Sequence, residues 1–260
     1  MASLITMHCH FRAKTLGSDT DVNVLIPEDA GEDIPVLYLL HGMHGDYTSW
    51  LNGSAIGKYA RMRGIAVVMP SAVNSFYCNM KYGCRYYDYV TEELPAFLRK
   101  NLPSLSTKRE KTFVAGLSMG GYGAVKLALR RPDLYAACAS LSGCLDLAGR
   151  MDATDVKWKD VAVCNWGEDY LKTFPGSEDD LLALIDRFPK DQPKPRIYYT
   201  CGTEDSLYGE NQSFRRHVEG KGFETHYDEG PGVHDWIFWD GWILPAIDYL
   251  IAPLTTETHA

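Results

Sequence analysis

A glycine-framed serine, set between a strand-like run and a helix-like run, constrains this chain more than any other feature. Lys111-Thr112-Phe113-Val114-Ala115 reads as a buried strand, Gly121 to Leu129 as a helix, and Gly116-Leu117-Ser118-Met119-Gly120 joins them. In a G-x-S-x-G turn the serine backbone is strained, so glycines two places either side relieve crowding and the hydroxyl projects above the sheet. The first free N–H groups of the following helix, and its positive dipole end, then point toward any oxyanion formed there. Ser118 is therefore a candidate nucleophile. The plainer alternative is a strand-to-helix turn whose serine only caps the helix.

Three further segments favour the chemical reading. Ile34-Pro35-Val36-Leu37-Tyr38-Leu39-Leu40 is an almost unbroken apolar run, as expected of a parallel strand buried on both faces, and it ends in His41-Gly42-Met43-His44-Gly45. A glycine-rich loop there lets backbone N–H groups turn toward a ligand. Downstream, Arg196 to Cys201 is β-rich and runs into Gly202-Thr203-Glu204-Asp205. An acid on that loop can orient an imidazole; Asp205 is preferred, with Glu204 its nearest competitor. Last, Glu224 to Tyr227 reads as a short strand, and His234 follows on a Gly/Pro-rich loop before Trp236-Ile237-Phe238-Trp239. His8, His10, His217, His226 and His259 read as solvated residues, and His41 and His44 as neighbours of the site without a catalytic part.

Strand-like and helix-like segments alternate along most of the chain, the mark of a mostly parallel sheet covered on both faces. Helices are expected around Ile56 to Arg63 and from about Tyr87 to Asn101, the second kinked by Pro95. Strands are expected at Val22 to Ile26, Ile65 to Met69 and Tyr135 to Leu141. From about residue 145 to 195 the alternation lapses. A helix at Asp179 to Phe188 is expected within this segment, and it reads as a small cap inserted over the site. With 260 residues, one α/β domain over 1–260 accounts for the chain.

The formal net charge of −8 argues against a nucleic-acid or anionic-membrane surface, because both require clustered Lys and Arg. Small neutral esters meet no such barrier. No secretory signal is visible, and no apolar run approaches the roughly 20 residues needed to span a bilayer. The seven scattered cysteines read as reduced thiols, with Cys78 and Cys84 the one pair placed to bridge, and a cytoplasmic location is the simplest reading. No C-x-x-C, H-E-x-x-H or P-loop pattern occurs, so neither a metal nor an organic cofactor is expected. His8-Cys9-His10 lacks the further ligands that a metal site needs. Nothing announces an oligomer interface, so a homo-oligomer stays open.

Val36-Leu37-Tyr38-Leu39-Leu40-His41-Gly42-Met43 and Gly116-Leu117-Ser118-Met119-Gly120-Gly121-Tyr122-Gly123 together resemble the putative-esterase family of α/β-hydrolases. That family includes esterase D, feruloyl and acetyl esterases and the mycolyltransferases. The resemblance runs from about Asp21 to Trp239 and is closest to bacterial tributyrin esterases, through Glu32-Asp33-Ile34-Pro35, Lys108-Arg109-Glu110-Lys111-Thr112-Phe113 and Cys201-Gly202. It implies an α/β-hydrolase fold and a serine esterase, a chemistry that acetylated or feruloylated carbohydrates fit; bulky rings close to the serine would leave space for acetyl to butyryl groups and exclude long chains, so a carboxylesterase acting on short acyl esters is expected. Ser118 would be nucleophile, His234 base and Asp205 the orienting acid, in the chain order that this fold uses. The backbone N–H groups of Met43 and Met119 would form the oxyanion hole. Tyr47, Trp50, Trp166 and Trp236 are the rings expected to line an acyl pocket. An S-formylglutathione hydrolase, a sugar acyltransferase and, from another class, a non-catalytic binding module are the competing readings.

Overall fold

A computed structural model of the chain describes residues 3–151 and 156–257. Its frame is one eight-stranded sheet in the order β1-β2-β4-β3-β5-β6-β7-β8. The strands are β1 (Leu4–Ala13), β2 (Ser18–Pro27), β3 (Val36–Leu40), β4 (Ala66–Pro70), β5 (Thr112–Leu117), β6 (Ala137–Leu141), β7 (Arg196–Gly202) and β8 (Thr225–Gly230). β1 and β2 form an antiparallel pair, β2 is antiparallel to β4, and every remaining pairing is parallel.

The sequence pattern explains which strands are interior. Every residue of β3, β4, β5 and β6 is buried, as their continuous apolar runs require for strands with helices on both faces. β1 instead alternates exposed and half-buried residues, as an antiparallel edge strand does. Two apolar cores follow, one per face. Tyr38, Val114, Tyr122 and Leu127 belong to one, with residues of the segment after β6. Leu37, Leu39, Phe113 and Tyr198 belong to the other, packed against the helices Ile56–Arg63 and Trp236–Glu257.

The helix expected from Tyr87 to Asn101 is broken up. A single turn at Tyr86–Asp88 leads into a π-helical turn at Tyr89–Glu93 and then the α-helix Leu94–Asn101. Pro95 falls in the first turn of that last helix, where its missing N–H costs nothing. The Thr91 carbonyl four residues earlier accepts from Arg131 Nη1 at 3.4 Å instead.

The final helix corrects one expectation. Trp236–Leu254 is long and apolar enough to cross a membrane by length and composition, with a mean hydropathy of 1.2. Asp240 and Asp248 hide this in the sequence by interrupting the run. In the fold the helix lays Phe238, Trp239, Ile243, Ala246, Ile247, Leu250 and Ile251 into the core. Its two acids lie off that face, Asp240 accepting from the Ala55 N–H at 2.7 Å and Asp248 pairing with Arg63.

Between β6 and β7 the described residues contain no strand. They form the helices Val156–Trp166, Tyr170–Thr173 and Leu181–Asp186, the last shorter than the expected Asp179 to Phe188. Asp180 caps it by accepting from the Leu182 and Ala183 N–H groups. The Trp166 ring packs against Phe76 and Phe174, tying the segment to the main body. All seven cysteines are free; the Cys78 and Cys84 thiols donate to the Ser75 and Leu16 carbonyls rather than bridging.

Candidate active site

Four loops meet above the carboxyl ends of neighbouring parallel strands, where open α/β sheets place their ligands. They follow β3, β5, β7 and β8 and carry residues 41–45, Ser118, Asp205 and His234 respectively. Ser118 has φ 54 and ψ −119, a strained conformation for any residue but glycine. The two flanking glycines are required by close approach. A Cβ at Gly116 would stand 2.4 Å from the Gly120 carbonyl oxygen, and one at Gly120 would stand 2.4 Å from that of Leu40.

His234 Nε2 lies 2.9 Å from Ser118 Oγ, and Nδ1 lies 2.9 and 3.1 Å from the two oxygens of Asp205. A neutral imidazole protonated on Nδ1 satisfies both sides: Nδ1–H donates to the carboxylate and the serine hydroxyl donates to Nε2. The Asp205 side chain is wholly buried, and its Oδ1 also accepts from the Leu207 N–H at 2.8 Å. Burial would raise this carboxyl, but the hydrogen bond from His234 and that from Leu207 outweigh it and hold it below the usual aspartate value. Glu204, left open as a competitor, is exposed and serves the loop: its Oε2 accepts from the Gly232 N–H at 2.6 Å. The Glu204 N–H donates to the Gly232 carbonyl and that of Thr203 to Gly230, so the acid loop and the histidine loop are stitched together. On its other side the His234 ring meets Trp239 edge-on at 4.9 Å, and Trp239, Trp236 and Trp50 continue as a series of edge-to-face contacts.

Met119 is the first residue of the Met119–Arg130 helix, so its N–H has no acceptor within that helix. Met43 lies on the glycine-rich loop facing it, and Met43 and Ser118 line the same cleft. His41 fixes this loop. Its Nδ1 contacts the Gly42 carbonyl at 2.7 Å and its Nε2 accepts from the Ala72 N–H at 2.9 Å. Burial lowers its pKa, which keeps the ring neutral in that staple.

The cleft encloses about 620 Å³. Of the four rings expected along it, Trp236 is there. Trp50 is buried behind Trp236, its Nε1 donating to the Leu40 carbonyl at 2.9 Å. Trp166 lies deeper in the segment between β6 and β7, where its Nε1 donates to Asp179. Tyr47 is turned toward β1 and stacks on His8 at 5.1 Å. Phe76, Trp158 and Trp239 take the places expected for these rings. Phe76 could not be found by pattern, because it and Tyr77 adopt left-handed φ values of 50 and 52 without being glycine. Arg150 and Cys144, also on the cleft, carried no signal either. His8 and His10 both contact Asp21, and among the described residues no group of His, Cys, Asp and Glu side chains is placed to hold a metal ion. His259 lies outside the described residues.

The strand order and the serine turn define the α/β-hydrolase fold. The model of the family described as "putative esterase" matches residues 13–249, and the chain belongs to that family. An acetyl esterase of Caldicellulosiruptor saccharolyticus is 31% identical over 94% of this chain and 97% of its own length. Among solved structures, the fluorophosphonate-binding serine hydrolase FphF of Staphylococcus aureus superposes with a TM-score of 0.87 at 31% identity, covering 96% of this chain and 98% of its own. The S-formylglutathione hydrolase FrmB of the same organism gives 0.85 at 30% identity, with 96% and 99% covered. The chain is thus a carboxylic ester hydrolase.

Proposed function

We propose that the chain hydrolyses short acyl esters, acetyl to butyryl, by two-step transfer of the acyl group to water. The observation that carries this is the unbroken line from Asp205 through His234 to Ser118, opening on the cleft. His234 Nε2 takes the Ser118 proton as Oγ attacks the ester carbonyl, and the imidazolium that forms rests against the Asp205 carboxylate. The Met43 and Met119 N–H groups receive the oxyanion, a contribution of about 3 kcal/mol per donor at the transition state. Collapse of the tetrahedral adduct passes the proton from His234 to the leaving alcohol. Water, deprotonated by the same nitrogen, then releases the acid and restores Ser118.

Phe76, Trp158, Trp236 and Trp239 crowd the cleft with rigid rings, which favours short acyl chains over long ones. The segment over residues 145–195 acts as a cap, since Leu147, Arg150 and Trp158 reach the cleft from it. The relative named an acetyl esterase supports the acyl preference. Acetylated or feruloylated carbohydrates fit the alcohol and acyl sides. Seven unpaired cysteines suit a reducing compartment, which supports a cytoplasmic location. The likeness to FrmB favours one second reading, a thioester substrate, and S-formylglutathione added to the assay separates it.

The test is a p-nitrophenyl ester series from acetate to octanoate, run on the wild type and on Ser118→Ala with folding verified. Fast turnover of the short esters, lost in the variant, supports the proposal. A folded Ser118→Ala protein of near-normal activity, or octanoate outpacing acetate and butyrate, overturns it.

A further inference from the structure

We infer that Arg150 forms an anion-recognising subsite beside Ser118, so that the preferred esters carry a carboxylate or similar anionic group within reach of its guanidinium. The inference deepens the esterase reading above and rests on it. Among the described residues, Arg150 is the only Lys or Arg that lines the catalytic cleft, in a chain whose net charge is −8. It ends the short turn Ala148–Arg150 that the cap presents to the cleft, and its side chain is 44% exposed. Arg130 and Arg131, by contrast, are 19% and 21% exposed and engaged with Glu178 and with Glu92 and Asp133.

Glu210 is the carboxylate that Arg150 meets among the described residues, and that contact is incomplete. It is one bond, Nη1 to Oε1 at 3.1 Å, longer than the 2.7–2.9 Å usual for a charge-assisted pair. The Glu210 Oε2 atom is buried without a hydrogen-bond partner, so the two-pronged fork that arginine and carboxylate favour is not made here. Burial pushes the Glu210 carboxyl up to about 7 against the opposing pull of Arg150. Near neutrality Glu210 is therefore only partly ionised. Arg150 and Ser118 line the same cleft, with Cys144 on its wall as well. A guanidinium so placed offers an incoming carboxylate a two-point hold while leaving the ester carbonyl to Ser118.

The alternative is that Arg150 only neutralises Glu210. Two matched ester pairs separate the readings: 4-acetoxybenzoate against its methyl ester, with the charge on the alcohol side, and mono-p-nitrophenyl glutarate against p-nitrophenyl butyrate, with the charge on the acyl side. Loss of a hydrogen-bonded charge contact is worth at least about tenfold. Arg150→Gln is therefore expected to lower kcat/KM for the anionic member of at least one pair by about tenfold or more, through KM. The anionic-to-neutral ratio should fall by a similar factor, and Arg150→Lys should recover only part of the loss. The responding pair shows on which side of the ester the charge sits. Calorimetric binding of 4-acetoxybenzoate and of glutarate to Ser118→Ala, with and without Arg150→Gln, reads the subsite without turnover. An anionic-to-neutral ratio unchanged by Arg150→Gln in both pairs, with no change in binding, overturns the subsite. Folded wild type that leaves all four esters intact, anionic and neutral, overturns the esterase reading instead, and the binding arm still decides Arg150.

Discussion

The ammonium of Lys126, with none of its side chain exposed, donates to the backbone carbonyl oxygen of Phe76 at 2.8 Å. The same ammonium pairs with Asp179 at 2.9 Å. Phe76 and Tyr77 both hold positive φ, so a buried charge secures a strained stretch of the cleft wall. Replacing Lys126 by Ala would take the buried ammonium from Asp179 and from the Phe76 carbonyl, leaving half-buried Asp179 with Arg130 at 3.8 Å and the Trp166 N–H, and a loss of about 3 kcal/mol is expected in urea unfolding. The double variant Lys126→Met with Asp179→Leu should recover most of that stability, while ester turnover stays lowered because the Phe76 carbonyl has lost its donor. Equal turnover by the double variant and the wild type would show that Phe76 needs no such tether.

Ser118 should tolerate glycine better than alanine. Its φ of 54 costs a side-chain-bearing residue about 1–3 kcal/mol, and glycine adopts that conformation freely. Ser118→Gly is expected to abolish hydrolysis and raise Tm, whereas Ser118→Ala abolishes hydrolysis with little gain. Thermal unfolding of the three proteins side by side checks this, and a Tm for Ser118→Gly below that of Ser118→Ala would contradict it.

Asp205→Asn preserves shape but disturbs the imidazole tautomer, and kcat should fall by about 10³- to 10⁴-fold with KM little changed. Glu204→Gln keeps an acceptor for the Gly232 N–H and should stay within about threefold of wild type. The opposite ranking of the two variants would reassign the acid.

The pH dependence of stability should carry the mark of Glu210. Its carboxyl rises from 4.5 to about 7 on folding, so the folded state binds the proton more tightly than the unfolded chain. Its contribution is therefore most favourable below about 4.5 and is lost as pH rises toward about 7, by up to about 3 kcal/mol. Glu210→Gln removes the titrating group, so its Tm should fall less than that of wild type between pH 5 and pH 8. Identical slopes for the two proteins would rule this out.

The strands of the sheet were legible because burial on both faces leaves an unbroken apolar run, as at Val36 to Leu40 and Thr112 to Leu117. Ser118 and Asp205 stood out as candidates because each follows such a run at a turn rich in glycine, whereas His234 follows β8, whose residues are exposed or half-buried, and stood out only through its Gly/Pro-rich loop. The cleft walls were not. Trp50 and Trp158 are alike as letters, yet one is buried behind Trp236 and the other faces the cleft, and only packing between distant segments separates them. The π-helical turn before Pro95 escaped for a related reason: the Thr91 carbonyl finds its donor in Arg131, forty residues further on. The span-like helix Trp236–Leu254 was hidden by two acids whose positions matter only once the helix is formed.

Ser118 and His234 are 116 positions apart, and the histidine follows β8, an edge strand that pairs only with β7. Closing so long a loop comes late in assembly, after the local helices have formed. During synthesis the proposed nucleophile therefore waits through more than a hundred residues for the proposed base. In refolding, catalytic activity would return only once the last strand has zipped onto the sheet, making turnover a stricter gauge of completed structure than helical signal.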